Sequence, residues 1–439
     1  MKSPAVKLLA VVLLAALGLR LAAGGWWQTR LEGPFFFGDS ESYWDLARTI
    51  ARGEPYEVGT DRARVFRMPG YPVLLAPLFL AGGDHPPVLW ARALSAVLDT
   101  LAVAGVGWLA WRLFDPRAGV LAATLAALYP GSIAVGTLVL SEAPFCPLML
   151  LSLGLWTAAW QSPTTRRAAG LAAAAGLAAG LATLVRPSWL LFVPFGVGWG
   201  LAASGRRRRH LGLGAAMLAG LVLAMMPWWV RNAMATGRFV PTTLQVGASL
   251  YDGWNPRATG ASEMSFVERF AADERRRFEA EAQPGDESFE VRLDRRLRHE
   301  ALAWAREHPG EVARLALVKL GRTWNVWPND AGTSSWPVRV AMAVFYVPIV
   351  LLALVGAAST VRRGWPYVLC WLPAVYFSLL HVVFVSSIRY RQPAMLGLMV
   401  LAGGAVSFWL GRRAEGGGQR AVGNSRRRKP ADRERVDGG

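Results

Sequence analysis

The chain is 439 residues long, 53% hydrophobic, and carries 48 Lys/Arg against 30 Asp/Glu, a formal net charge of +18. Its cations sit in short stretches between long runs of Leu, Ala, Val and Gly, which excludes an ordinary soluble domain and points to a polytopic membrane protein. Its two cysteines, Cys146 and Cys370, both lie in apolar runs, which excludes a disulfide framework or a zinc–cysteine cluster.

Ten runs are apolar enough to read as spans crossing ~30 Å of hydrocarbon at ~1.5 Å per residue. In chain order they are Val6–Ala23, Val88–Phe114, Ala118–Val139, Ala143–Trp160, Ala168–Val185, Ser188–Ala203, Leu211–Val230, Trp336–Ala358, Trp365–Val385 and Pro393–Leu410. The first is followed closely by more of the protein and lacks a small-residue cleavage site, so it reads as a span and not a signal peptide. Tyr71–Ala81 is apolar but short and flanked or interrupted by Pro69, Pro72 and Pro77, and reads as interfacial or re-entrant. The fold class expected is an all-α polytopic membrane protein of about ten transmembrane helices.

Short basic loops stay cytoplasmic. With Lys2 and Lys7 inside, Arg112/Arg117, Arg166/Arg167, Arg206–His210 and Arg362/Arg363 all fall inside, as does the tail from Arg412. The expectation is a multi-pass protein of a bacterial inner (plasma) membrane with both termini cytoplasmic. Arg186, Arg389 and Arg391 then lie on the external, periplasmic side, where cations are disfavoured, and need another reason to be there. The Arg426–Lys429 run reads as part of a solvated basic tail and not as a nucleic-acid site.

Four parts are expected: an N-terminal module of seven spans over residues 1–230, with an external loop over 24–87; an external helical domain over 231–335; three closing spans over 336–411; and a disordered basic tail over 412–439. The external domain holds 15 Lys/Arg and 15 Asp/Glu. Phe266–Ala282, Phe289–His308 and Glu311–Trp327 read as its helices. In the first loop Tyr43, Leu46, Ala47 and Ile50 recur at helical spacing, which predicts an amphipathic surface helix ending at Gly53.

Asp39 stands at the start of that helix, within Gly38-Asp39-Ser40-Glu41-Ser42-Tyr43. It is either a helix cap or a functional carboxylate. Glu142, opening the next external loop in Ser141-Glu142-Ala143-Pro144, poses the same choice. Arg186 can snorkel to the surface or grip a lipid phosphate bidentately, and Arg389 and Arg391 are similar cases. Lys319 reads as solvated. His85 is the best metal candidate, although no Asp-X-Asp motif accompanies it. Acids at the start of two loops and cations at the ends of spans suit a group transfer in which arginines hold an anionic leaving group and a carboxylate takes the acceptor's proton.

These residues, in this order, resemble the polyprenyl-phosphate-dependent membrane glycosyltransferases of the C-type fold, which include protein O-mannosyltransferases and the lipid A aminoarabinose transferase. The resemblance is carried by Asp39, Tyr43, Ala47 and Gly53, by Arg67-Met68-Pro69-Gly70-Tyr71-Pro72, Ser141-Glu142 and Leu184-Val185-Arg186-Pro187, by Trp229-Val230-Arg231-Asn232, His308-Pro309 and Arg389-Tyr390-Arg391, and spans nearly the whole chain. It implies Asp39 as catalytic base or acceptor-binding acid, Glu142 as a second catalytic acid, and Arg186, Arg389 and Arg391 as ligands of the donor phosphate, with Glu41, Tyr43 and Arg67 binding substrate. It implies no certain cofactor, with a divalent metal left open. The partners implied are a polyprenyl-phosphate-linked sugar, the bilayer, and a glycan, lipid or protein acceptor, with no nucleic acid. The activity implied is inverting sugar transfer on the outer face. A transporter or flippase for lipid-linked saccharides is the alternative, and it predicts charge deep in the spans, where Asp99 is the main candidate. A non-catalytic envelope assembly protein is the other.

Overall fold

A computed structural model describes residues 4–59, 61–281, 287–328 and 335–426. Seventeen α-helices occur among the described residues and no β-strand does, the sole bridge joining Val58 to Ala63. They are α1 Pro4–Gln28, α2 Gly38–Ala51, α3 Gly70–Gly82, α4 Val88–Leu113, α5 Pro116–Leu128, α6 Pro130–Thr137, α7 Glu142–Gln161, α8 Thr165–Val185, α9 Phe192–Ala203, α10 Arg207–Thr236, α11 Val246–Gly253, α12 Met264–Glu281, α13 Phe289–Glu307, α14 Pro309–Thr323, α15 Trp336–Thr360, α16 Val368–Val383 and α17 Gln392–Arg426. Helix α17 continues past Arg412, where disorder was expected, because no proline or left-handed glycine stops it among the described residues. Residues 427–439 of the expected tail lie outside the described residues.

All ten expected runs are helical. Seven of the described helices are singly long and apolar enough to cross a membrane: α1, α4, α7, α8, α10, α15 and α17. The run expected over Ala118–Val139 is instead the pair α5 and α6, bent by 63°. Pro130 causes the break, since it has no N–H to donate back to the carbonyl of Ala126. Three apolar helices are shorter, α3, α9 and α16. The ends of α9 and α16 nevertheless reach opposite ends of the long spans. Tyr367, before α16, donates to the carbonyl of Leu113 at the end of α4 (2.9 Å), while Val383 at its other end accepts from Lys319 (3.0 Å). Trp189, before α9, meets Phe145 in the first turn of α7 (5.6 Å), and Gly200 near its end lies against the ring of His210 at the start of α10.

Asp99, the main candidate for charge deep in the spans, has a partner that the sequence reading overlooked. Arg20 of α1 and Asp99 of α4 are fully buried and paired at 2.5 Å. Arg20 also donates to the carbonyls of Ala126 and Ala127, the two released by the α5–α6 break, and to Ser132 Oγ (2.9 Å), whose hydroxyl in turn donates to Asp99 (3.0 Å). Gly136 leaves room for this pair, since a Cβ there would stand 3.1 Å from Arg20 Cδ and Asp99 Cβ.

The expected surface helix is α2, whose apolar face packs on α3: Tyr43 meets Tyr71 (5.3 Å) and Trp44 meets Phe79 (4.6 Å). Helices α11–α14 lie against the ends of the spans. Glu290 of α13 accepts from the backbone N–H groups of Arg64 (2.8 Å) and Val65 (2.9 Å), and Ser386 donates through N and Oγ to the Gly260 carbonyl (3.0 Å each).

Candidate functional site

Local chain chemistry delivers five charged groups to one point. Phe37 is extended (φ −118°, ψ 138°) and occupies the cap position of α2 without a side-chain cap bond, so Asp39 sits inside the first helical turn. Glu142 is the first residue of α7. Arg186 follows α8 and is held extended (φ −135°, ψ 114°) because Pro187 disfavours helical backbone in the residue before it. Arg389 lies in the 3₁₀ turn Ile388–Arg391, opened by Ser387, whose Oγ accepts from the Arg389 N–H (3.3 Å). Arg67 is brought in by Gly70: a Cβ there would stand 2.7 Å from the Leu184 carbonyl oxygen, so only glycine lets this segment lie against the end of α8.

The five groups form an unbroken alternation of charge. Arg67 donates through Nη2 to Asp39 Oδ1 (2.7 Å), and Arg389 donates through Nη1 to Asp39 Oδ2 (3.2 Å). Arg389 also grips Glu142 bidentately, Nε to Oε1 at 2.5 Å and Nη2 to Oε2 at 3.1 Å. Arg186 closes the chain with Nη1 2.6 Å from Glu142 Oε1, and donates to Ser141 Oγ (3.2 Å). Three guanidiniums against two carboxylates leave one positive charge uncompensated. The Glu142 side chain is fully buried, whereas that of Asp39 is 33% exposed. Burial alone would raise the Asp39 carboxyl; the guanidiniums of Arg67 and Arg389 outweigh it and hold it below the usual carboxylate range.

Asp39 and the three arginines open onto a cavity of about 640 Å³, with Glu142 buried behind them. Asp39, Tyr43, Arg67, Ser141, Arg186, Arg389 and Tyr390 line it. Gln245, Ser249, Asp252, Ser262, Glu268 and Arg322, from the segment 245–322, add to the lining. Phe145, Trp189 and Phe377 pack edge-on or stacked at 5.6–6.3 Å, with Arg186 over the Phe145 ring at 5.9 Å.

The structure therefore brings together Asp39, Arg67, Glu142, Arg186 and Arg389, with Tyr43 beneath Arg67 (5.4 Å to its ring). It does not bring Arg391. That side chain is fully buried, lies over Tyr346 (3.8 Å), and donates to the carbonyls of Thr323 and Asn325, so the expected donor contact gives way to a structural one. One residue, Tyr390, separates Arg389 from Arg391, and within a 3₁₀ turn the two arginines point differently. Glu41 is exposed and does not line the cavity. Lys319, expected on a solvated face, is fully buried; its Nζ donates to the carbonyls of Gly253 and Val383 (3.0 Å each), and burial lowers its pKa to about 8. His85 is exposed, and no group of three or more His, Cys, Asp or Glu suited to a metal occurs among the described residues.

Sequence reasoning missed Ser141, Gln245 and the rest of the lining from the segment 245–322. Gln245 accepts from Arg67 Nη1 (3.1 Å). Asp252 accepts from Ser262 Oγ (2.6 Å) and the Glu263 N–H (2.8 Å), ordering the loop before α12; desolvation raises its pKa. Nothing in a lone Gln or Asp of a long polar segment signals such placement.

Residues 80–239, just over a third of the chain, match the family model of dolichyl-phosphate-mannose-protein mannosyltransferase. This segment contains Glu142 and Arg186 but neither Asp39 nor Arg389. No curated protein matches the chain in sequence. Among solved structures, it is similar to the archaeal oligosaccharyltransferase AglB from Archaeoglobus fulgidus in complex with an inhibitory peptide and a dolichol-phosphate, with a TM-score of 0.59 and 16% identity over 99% of this chain. The apo form of the Archaeoglobus fulgidus oligosaccharyltransferase gives a TM-score of 0.59 and 15% identity over 94% of this chain. In both cases the chain spans about half of the other protein, 52% of its length. ArnT from Cupriavidus metallidurans bound to undecaprenyl phosphate is 18% identical, over 94% of this chain and 78% of that one, with a TM-score of 0.39, too slight to carry weight. The likeness to the oligosaccharyltransferase shows the fold alone, the all-α polytopic architecture that the sequence led us to expect.

Proposed function

We propose that the protein is an integral-membrane glycosyltransferase that moves a sugar from a polyprenyl-phosphate donor to an acceptor on the external face, with inversion at the sugar carbon. The observation that carries this reading is the Arg67–Asp39–Arg389–Glu142–Arg186 chain at the wall of one cavity. Its single uncompensated positive charge suits the monoanion of a phosphodiester, and the arginines gain most as that phosphate becomes a dianion on leaving, which favours the transition state over the bound donor. Asp39, the more exposed of the two acids, is the base that receives the acceptor's proton. Glu142 has both oxygens engaged by guanidiniums, so its part is to hold Arg186 and Arg389 side by side for the phosphate. The segment 245–268, which includes α11 and the start of α12, supplies the hydroxyls, amide and carboxylates that face the acceptor. A transporter would use charge within the spans, but the Arg20–Asp99 pair is fully engaged at a helix break.

Incubating the purified protein with a panel of polyprenyl-phosphate sugars tests the reading. Wild type is expected to release polyprenyl phosphate from at least one donor, and Arg186→Lys, which keeps the charge but loses the fork, to release it at least about tenfold more slowly. Release from no donor in the presence of membrane extracts as acceptor source would overturn the proposal.

A further inference from the structure

The donor-free geometry poses a problem for Asp39 as a base. Both of its oxygens already accept from guanidiniums, Oδ1 from Arg67 and Oδ2 from Arg389. A carboxylate held this way keeps lone pairs toward the cavity, but it is a weak base while two guanidiniums share its charge. It becomes a stronger one when one of the two bonds gives way, and the distances indicate which. Of the three bonds Arg389 makes to carboxylates, two go to Glu142 in a fully buried bidentate fork, and the third, to Asp39 at 3.2 Å, is the longest and reaches a carboxylate one-third exposed to the cavity. Arg67 is fixed from its other side by Gln245 and lies over Tyr43 and Phe66. The Arg389–Asp39 contact is therefore the weakest link of the chain, and it lies at the cavity wall.

We propose that Arg389 is an exchangeable partner: it holds Asp39 in the donor-free protein, and the phosphate of an arriving polyprenyl-phosphate donor takes over its Nη1, freeing Asp39 Oδ2 to receive the acceptor's proton. This rests on the reading of the site as a polyprenyl-phosphate glycosyltransferase and adds to it an order of events. Glu142 keeps Arg389 and Arg186 on a common anchor throughout, so the exchange needs only rotation of one guanidinium edge toward the incoming anion. The bonds then balance. The acceptor O–H proton passes to Asp39 Oδ2, the acceptor oxygen bonds to the sugar carbon, and the bond from that carbon to the phosphate oxygen breaks, leaving polyprenyl phosphate as a dianion on Arg186 and Arg389. Departure of that product returns Arg389 to Asp39 and expels the proton to water. A free acceptor meets a masked base until a donor is in place.

The proposal makes a binding prediction that does not depend on turnover. If Asp39 and the phosphate compete for Arg389, removing the Asp39 charge should tighten the phosphate's hold. Binding of undecaprenyl phosphate to the full-length protein in nanodiscs, with undecaprenol as the uncharged control, is measured for wild type, Asp39→Asn, Arg389→Ala and the double variant. Asp39→Asn is expected to bind undecaprenyl phosphate about three- to tenfold more tightly, within the range of coupling between groups in direct contact. Undecaprenol affinity should stay the same, and the gain should vanish in the Arg389→Ala background. Asp39→Ser repeats the test should the Asn variant be poorly folded. Unchanged or weaker binding in both Asp39 variants overturns the exchange, as does a gain that persists without Arg389. A wild type that binds undecaprenyl phosphate no better than undecaprenol instead removes the functional reading itself, so the two failures are told apart.

Discussion

Asp39 is the residue on which the chemistry turns, and its environment supports a sharp separation of roles. A capping role would be lost with the side-chain oxygen, but Phe37, not Asp39, holds the cap position, and both Asp39 oxygens go to arginines. Asp39→Asn keeps the shape and one acceptor while removing the base, so turnover should fall by about 10²–10⁴-fold. Helical content should persist in that variant. Because its folded pKa is depressed, Asp39 contributes stability that is present above the ordinary carboxylate range and is lost as pH falls through the depressed value. Melting curves taken from neutral to acid pH should therefore show wild type converging on Asp39→Asn at low pH. Full activity in the Asn variant would end the case for Asp39. Much of this site was legible in sequence because each member stands beside a feature with local meaning: a helix start, a pre-proline arginine, a basic turn on the disfavoured side. Arg391 shares those signals with Arg389, and only the turn geometry separates them. Lys319 was misread for a related reason, since an amphipathic pattern says which side is apolar and not what covers the other.

The helices share one device that the sequence shows poorly. Four buried cations each donate to carbonyls at a helix end or break. Arg20 serves Ala126 and Ala127 at the end of α5, Arg92 serves Thr137 at the end of α6 (2.8 Å), Arg391 serves Thr323 at the end of α14 (3.2 Å), and Lys319 serves both Gly253 of α11 and Val383 of α16. Terminal carbonyls lack intrahelical partners and carry the negative end of the helix dipole, so a buried cation there is neutralised in part by backbone. Arg92 and Arg20 together fix the two ends of the bend that leads into Ser141 and Glu142. An ordinary buried ion pair can be replaced by two apolar residues with little loss, whereas breaking one partner costs about 3–5 kcal/mol. The Arg20–Asp99 pair should behave differently. Asp99→Leu should lose roughly that amount, and Arg20→Leu/Asp99→Leu should not recover, because Ala126 and Ala127 would lose their donor at about 1–3 kcal/mol for each unsatisfied group. Unfolding in detergent reads both, and a double variant as stable as wild type would reduce Arg20 to a simple counter-ion. Individual spans were legible from apolar length alone; the α5–α6 break was signalled by Pro130, but its partner Arg20 sits more than a hundred residues away in an otherwise apolar run.

At the scale of the whole molecule, the site exists because the ends of α1, α7, α8 and α17 come to one face and helices α11–α14 cover it. Asp39 follows α1, Glu142 opens α7, Arg186 ends α8 and Arg389 precedes α17. For Arg186, helices α11–α14 and Arg389 all to share a face, an even number of crossings has to separate each from the next, which requires α9 to cross as α10 does and α16 as α15 does. The 12 and 16 residues of α9 and α16 are shorter than a typical span, but α9 is extended by the turn from Pro187 and both reach the far ends of their neighbours. Basic loops predict the direction, with Arg166, Arg206 and Arg362 inside. Single cysteines at Arg166, Arg206, Arg362 and Glu279, all exposed positions, in a background with Cys146 and Cys370 replaced by serine, test this directly. An impermeant thiol reagent applied to intact cells should reach the cysteine at 279 and none of the other three until the membrane is permeabilised. Labelling at 206 alone among the loop positions would mean that α9 turns back without crossing, and labelling at 362 alone would mean the same for α16. Labelling at all three loops with protection at 279 would invert the molecule, placing Asp39 and its arginines on the cytoplasmic face and the donor with them.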